Sequence, residues 1–164
     1  MSFRPRREPL AELPTPLLDL ARLSTVLVGP RLLIKRDDLG GFALGGNKVR
    51  KLEFFLGDAR TAGADVLITC GGVQSNHCRV TAAAAARVGM RCVLVLSGAK
   101  PERFTGNLLL DQLFGAEPVF VQTREERAPR MEALAAESRA RGLRPYVTRS
   151  GARLRSAPTP TWRP

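Results

Sequence analysis

Between Val66 and Val147 the apolar positions come in short unbroken runs: Val66–Thr69, Cys92–Leu96, Val119–Val121 and Pro145–Val147. The stretches between them carry helical periodicity, over residues 76–88 (rich in alanine), 104–114 and 124–141. Runs that are apolar throughout, rather than alternating, predict strands buried on both faces. The order β-α-β-α-β-α-β then predicts right-handed crossovers and an α/β fold, an open parallel sheet with helices on both faces. In such a sheet the strand-to-helix loops gather at the carboxyl edge, where ligands bind. Gly71–Ser75 is one of these loops.

The pattern ahead of this is less regular. Pro9, Pro14 and Pro16 exclude a regular helix over residues 9–18, which read as an extended lead-in. Residues 31–36 (Arg-Leu-Leu-Ile-Lys-Arg) read as a short strand and 37–46 as a turn-rich loop. Asn47 is a suitable N-cap for a helix that starts at Lys48. Val49, Leu52, Phe55, Leu56 and Ala59 repeat at helical spacing, and Gly63 ends the helix. Residues 148–164 show no apolar periodicity and hold three prolines in the last seven positions, which predicts a disordered tail. Two origins for it stay open: a frameshift near codon 148, or a genuine but compositionally biased C-terminus.

Composition changes this picture little. Hydrophobic residues make up 44% of the 164-residue chain and charged ones 25%, the balance of a soluble globular domain. No apolar run is long enough to cross a membrane, and residues 1–9 lack the apolar segment of a signal peptide, so a cytoplasmic protein with no membrane partner is expected. Cys70, Cys78 and Cys92 show no C-x-x-C spacing, and His77 is the single histidine, which predicts neither a disulfide framework nor a metal site. The net charge of +11 raises nucleic acid as a partner. Against it, the arginines are scattered, four of them fall in the acid-free tail, and 7 Phe, 1 Tyr and 1 Trp give little to stack on bases. No nucleic-acid partner is expected.

Two strings carry candidate chemistry. The first is Lys35-Arg36-Asp37-Asp38 followed by Gly45-Gly46-Asn47-Lys48-Val49-Arg50-Lys51. Two glycines allow close backbone approach, and Lys48 opens a helix. A nucleotide-binding P-loop is excluded, because Asn47 stands where its lysine belongs and no strand feeds the loop directly. The second string is Gly71-Gly72-Val73-Gln74-Ser75-Asn76-His77, a tight turn opening a helix. Its free N–H groups favour an anion, although in isolation ordinary capping is the commoner reason for such a string.

Together the two strings resemble the pyridoxal-phosphate enzymes of the D-cysteine desulfhydrase and 1-aminocyclopropane-1-carboxylate (ACC) deaminase family, over residues 9–147. The resemblance implies a type II pyridoxal-phosphate fold, with residues 1–50 belonging to a large cofactor domain, 51–147 forming a small α/β domain and 148–164 an aberrant tail. It implies pyridoxal 5'-phosphate held covalently on the amine of Lys48. Asn76 would bond the cofactor's phenolic oxygen, with Asn47 close behind Lys48. Ser75 would meet the substrate carboxylate or the reacting carbon. Asn76 and His77 would line the same substrate pocket, where the deaminase branch more often has glutamine in place of His77. Cys78 would face the core. Lys48 and Ser75 are thus the expected catalytic residues. The implied reaction is elimination from D-cysteine to pyruvate, ammonia and sulfide, with ACC deaminase and a non-catalytic remnant as alternatives, and a homodimer as the assembly. The family's glycine-rich phosphate loop, its pyridine-nitrogen partner and its specificity tyrosines come from a C-terminal half not found in residues 1–164. The chain is therefore expected to be truncated and inactive by itself.

Overall fold

The computed structural model describes residues 6–148. Its elements, in order, are β1 (Leu17–Asp19), α1 (Ala21–Val26), β2 (Leu33–Lys35), a 3-10 turn (Asp37–Leu39), α2 (Lys48–Thr61), β3 (Val66–Gly72), α3 (Asn76–Arg87), β4 (Arg91–Ser97), α4 (Gly106–Leu113), β5 (Glu117–Val121), α5 (Arg127–Ala140) and β6 (Pro145–Val147). The expectations for the tail from residue 149 onward lie outside the described residues.

The four unbroken apolar runs form one parallel sheet in the order β5-β4-β3-β6. The chain steps outward from β3 to β5, and α5 then returns it to the far side of β3. Right-handed crossovers in opposite directions put helices on opposite faces. Each face has its own core. On one side Leu67, Cys92, Leu94 and Leu96 pack with Leu52 and Leu56 of α2, the alanines of α3 and Leu108 of α4. On the other, Val66, Ile68, Cys70, Val93 and Val95 pack with Met131, Leu134 and Ala135 of α5. Neighbouring residues of a strand point to opposite faces, so two covered faces require every position to be apolar. Each fully buried leucine or valine here contributes about 1.5–3 kcal/mol.

The helix expected from Lys48 runs to Thr61, and Val49, Leu52, Phe55, Leu56 and Ala59 are all buried. Gly63 ends it at φ 65, where the Ala64 N–H reaches the Ala59 carbonyl at 2.9 Å. That left-handed turn is why glycine stands there.

The N-terminal part departs from the expected pattern in two ways. The strand expected over 31–36 forms at Leu33–Lys35, but it pairs antiparallel with β1 in a separate two-stranded sheet. Between them lies α1, a helix the apolar pattern does not predict: it is six residues long and buries none of them. Residues 7–11 are held against α2 by Glu53. This buried carboxylate accepts from Arg7 Nε (2.7 Å), Arg7 Nη2 (3.1 Å) and the N–H groups of Leu10 (2.9 Å) and Ala11 (3.0 Å).

Candidate active site

Lys48 is delivered by a loop whose shape is set by polar clamps. Asp37 accepts from Arg50 Nε (2.9 Å), Arg50 Nη2 (2.8 Å) and the buried Thr15 hydroxyl (3.0 Å). The Arg50 hydrogen bonds hold the Asp37 carboxyl below its ordinary value, against a smaller opposing effect of burial. Arg50 is thus tied down by a carboxylate. Asp38 pairs with Arg36 at the surface instead. The loop then runs through left-handed backbone at Ala43 (φ 45), Leu44 (φ 64) and Gly45 (φ 67). A Cβ on Gly45 would lie 2.1 Å from the Asp38 carbonyl oxygen, so only glycine fits. Ala43 and Leu44 carry side chains in a region that costs about 1–3 kcal/mol per residue, strain of the kind that gathers at functional sites.

Lys48 is the first residue of α2 and is half-buried. Asn47 does not cap the helix as expected. Its own backbone is helical (φ -62, ψ -11) and its side chain makes no cap bond. Its Oδ1 instead accepts from Lys48 Nζ at 3.2 Å. The next lysine on this turn, Lys51, has its pKa lowered by burial and then by the charge of Lys48.

The second string behaves as a capped helix start. Ser75 is extended (φ -70, ψ 120), and its Oγ accepts from the Cys78 N–H at 3.3 Å. Asn76 is exposed, and its Oδ1 accepts from both Arg79 Nη1 and Asn107 Nδ2, each at 2.9 Å. Its Nδ2 has no protein partner among the described residues and remains as a donor. His77 faces inward and is 4% exposed. The Thr69 hydroxyl donates to the Thr148 carbonyl (2.9 Å), so the 3.0 Å contact between Thr69 Oγ1 and His77 Nε2 has the imidazole donating. Burial, then the charges of Lys51 and Lys48, push the His77 pKa down to about 4. The ring is therefore neutral at physiological pH and feels the charges of Lys51 and Lys48. Cys78 faces the core as expected, and burial pushes its thiol up to about 12.

Arg79 brings the two strings together. It is buried, and it donates from Nη1 to Asn76 and to Asn107 Oδ1 (2.8 Å), and from Nη2 to the Gly45 carbonyl (3.3 Å). Asn107 in turn donates to the Gln74 carbonyl (2.8 Å), and its N–H meets Gln74 Oε1 (2.8 Å). None of Arg79, Asn107 and Gln74 is singled out by the sequence reading. The available signal was an arginine inside an otherwise small and apolar helix face.

The profile of the family described as "pyridoxal-phosphate dependent enzyme" matches residues 9–154. This chain belongs to that family. D-cysteine desulfhydrase of Klebsiella pneumoniae subsp. pneumoniae is 47% identical over 148 residues, which make up 87% of this chain and 44% of the relative. The enzyme of the same name from Yersinia enterocolitica is 46% identical over 142 residues, 84% of this chain and 43% of the relative. A crystal structure of an ACC deaminase homologue superposes with a TM-score of 0.81 at 42% identity, over 89% of this chain and 45% of that one. O-ureido-L-serine synthase, at a TM-score of 0.62 and 20% identity over 80% of this chain and 40% of that one, shares the fold. The chain thus spans less than half the length of the relatives it matches. The α/β type II fold expected from the sequence is the observed one.

The residues present suit the family's cofactor. Lys48 offers a primary amine, Asn76 an unpaired amide donor and α3 an N-terminus that favours an anion by about 0.3–1 kcal/mol. At Gly46 and Gly72 an added Cβ would meet no atom within 4 Å, so the backbone there is open to a flat ring. When bound, pyridoxal phosphate supplies an aldehyde and an electron-withdrawing ring. Lys48 would hold it with its amine beside Asn47 Oδ1, and Asn76 Nδ2 would be free to donate to one of its oxygens, while the neutral His77 is bonded to Thr69 of β3.

No helix among the described residues is long and apolar enough to cross a membrane.

Proposed function

We propose that this chain carries the lysine and the α3 platform of a D-cysteine desulfhydrase. The supporting observation is the meeting of the Lys48 loop with the start of α3 through Arg79, which bonds both Gly45 and Asn76. The substrate class follows from relatives of that name at 46–47% identity. D-cysteine and one water become pyruvate, ammonia and hydrogen sulfide. Lys48 holds the cofactor and moves the proton at the substrate α-carbon. Ser75 meets the substrate carboxylate or the reacting carbon, Asn76 bonds the cofactor's phenolic oxygen and borders the substrate, and His77 lines the same pocket. Asn47 holds the Lys48 amine in place between these roles.

Residues 1–50 belong, in this reading, to a larger cofactor domain. Leu17, Val26, Leu27, Val28 and Leu33 are exposed here and suit cover by further chain. The protein acts on a small amino acid in the cytoplasm, as a homodimer. ACC deaminase is the second reading, favoured by the 42% identity to the ACC deaminase homologue. Its substrate has no α-proton, so another group would have to drive ring opening.

The test is a titration of the purified chain with pyridoxal phosphate, following the visible absorbance of the lysine-bound form. A saturable band that Lys48→Ala abolishes is expected. Added D-cysteine should then shift the band, with Lys48→Ala controlling for direct reaction of free aldehyde with the thiol. A shift with ACC alone would move the reading to the deaminase. A wild-type chain with no band would leave the non-catalytic remnant.

A further inference from the structure

An arginine inside an alanine-rich helix needs a reason. A buried guanidinium is costly to desolvate, and a well-packed apolar residue at the same place is often neutral or stabilising. Arg79 is 7% exposed, and within hydrogen-bond reach it meets only neutral acceptors: Asn76 Oδ1, Asn107 Oδ1 and the Gly45 carbonyl. Its Nε has no bonding partner among the described residues. The buried carboxylate that feels its charge, Asp111 of α4, likewise makes no hydrogen bond among the described residues and is pushed up to about 7 by burial. Arg79 thus makes no hydrogen-bonded ion pair among the described residues.

Geometry supplies the reason. A carboxamide can flip, exchanging its oxygen for its NH2 group. At Asn76 two donors converge on Oδ1, Arg79 Nη1 and Asn107 Nδ2. A flipped Asn76 would set its own N–H groups against both. Asn107 is itself fixed, because its Oδ1 accepts from Arg79 while its Nδ2 also donates to the Gln74 carbonyl. The second arm of Arg79 holds the Gly45 carbonyl, three residues ahead of Lys48. The planar fork of arginine can serve these acceptors at once, which a lysine ammonium on a flexible stem cannot match.

We infer that Arg79, with Asn107, is a positioning residue. It locks Asn76 with Nδ2 outward, so that the site presents a donor to an anionic oxygen of the cofactor, and it holds the Gly45 turn so that Lys48 starts α2 beside that donor. The inference rests on the roles proposed above for Lys48 and Asn76.

The experiment uses the isotope-labelled full chain and reads the Asn76 side-chain amide signals by NMR, alongside pyridoxal-phosphate titration and melting temperature. Arg79→Met, Arg79→Lys and Asn107→Ala are compared with wild type. Each variant should move or broaden the Asn76 amide signals selectively and weaken cofactor uptake by about tenfold, the loss of one charge-assisted hydrogen bond. Arg79→Lys, which keeps the charge and loses the fork, should not rescue. A purely structural role predicts a lower melting temperature with Asn76 moved no more than the Gln112 amide of α4, and that result overturns the inference. If Arg79→Met does not fold, Asn107→Ala decides, since two of the three bonds its side chain makes lie at the surface and only the one to Arg79 is partly buried. If wild type takes up no cofactor, the proposed function fails, while the Asn76 signals still decide the positioning role.

Discussion

The two sheets of this protein are built on opposite principles. The parallel sheet is covered on both faces, and β3 and β4 are buried along nearly their whole length. The β1–α1–β2 unit is exposed along both strands and buries no residue of its helix. Dispersion and the hydrophobic effect hold the first. The second is flanked by polar clamps, Arg50 and Thr15 on Asp37, and the lead-in ahead of it is held by Arg7 on the buried Glu53. Lys48 lies at the seam, where a polar-clamped loop enters a helix of the packed core. The contrast shows how a site can combine a fixed platform, α3, with a loop whose shape depends on a few charge-assisted bonds.

The largest break in this contrast should come from truncating the core. Leu94→Ala, at a fully buried position, is expected to cost about 2–5 kcal/mol. Leu27→Ala, in the exposed unit, should stay within about 0.5 kcal/mol. Equal losses in chemical denaturation would mean that the two sheets are not held differently after all.

His77 gives the next effect. Its pKa is about 4 in the fold against 6.5 unfolded, so the unfolded chain binds more protons between those values. The neutral ring's contribution is fully present above pH 6.5 and is lost as pH falls toward 4. The drop should reach about 2–3 kcal/mol, and His77→Gln should flatten it in melting curves taken across that range.

Glu53→Ala strands two backbone N–H groups and Arg7, at a cost of about 1–3 kcal/mol. The Glu53 carboxyl is held below its ordinary 4.5 by Arg7 and the Leu10 and Ala11 N–H groups, against the opposing effect of burial. Its contribution is therefore present above that value and fades as pH falls through the lower folded one. Protease nicking near residue 10 should rise in the variant; an unchanged digestion pattern would show that the clamp is not what holds this segment.

The smallest change in stability belongs to Arg50→Met, about 0.5–1 kcal/mol for a partly exposed pair. Its larger consequence should be local, as weaker cofactor uptake at Lys48. Undiminished uptake would separate the Asp37 clamp from the site.

Much of the packed region was legible beforehand. Strands buried on both faces must be apolar at every position, so the four runs declare themselves without knowledge of their neighbours. Lys48, Ser75 and Asn76 were legible as local strings. The polar anchors were not. Glu53 and Arg79 are single charged residues on helix faces that otherwise read as core, and their partners lie far along the chain, from Arg7 and Leu10 to Asn107. The unpredicted α1 buries nothing, so it leaves no apolar period to detect. Asn47 had the residue type of a cap, yet the competing bond from Lys48 took its oxygen.

By itself, then, the order of residues determined the parallel α/β core and the starts of α2 and α3, because short-range periodicity and turn chemistry are written locally. Only the tertiary structure decided that β2 pairs with β1 and not with the large sheet, that His77 is a buried neutral ring, and that Arg79 joins the two strings. Those outcomes depend on which distant groups share a low-dielectric interior, where an unpaired polar atom is costly and a fixed one holds its neighbours.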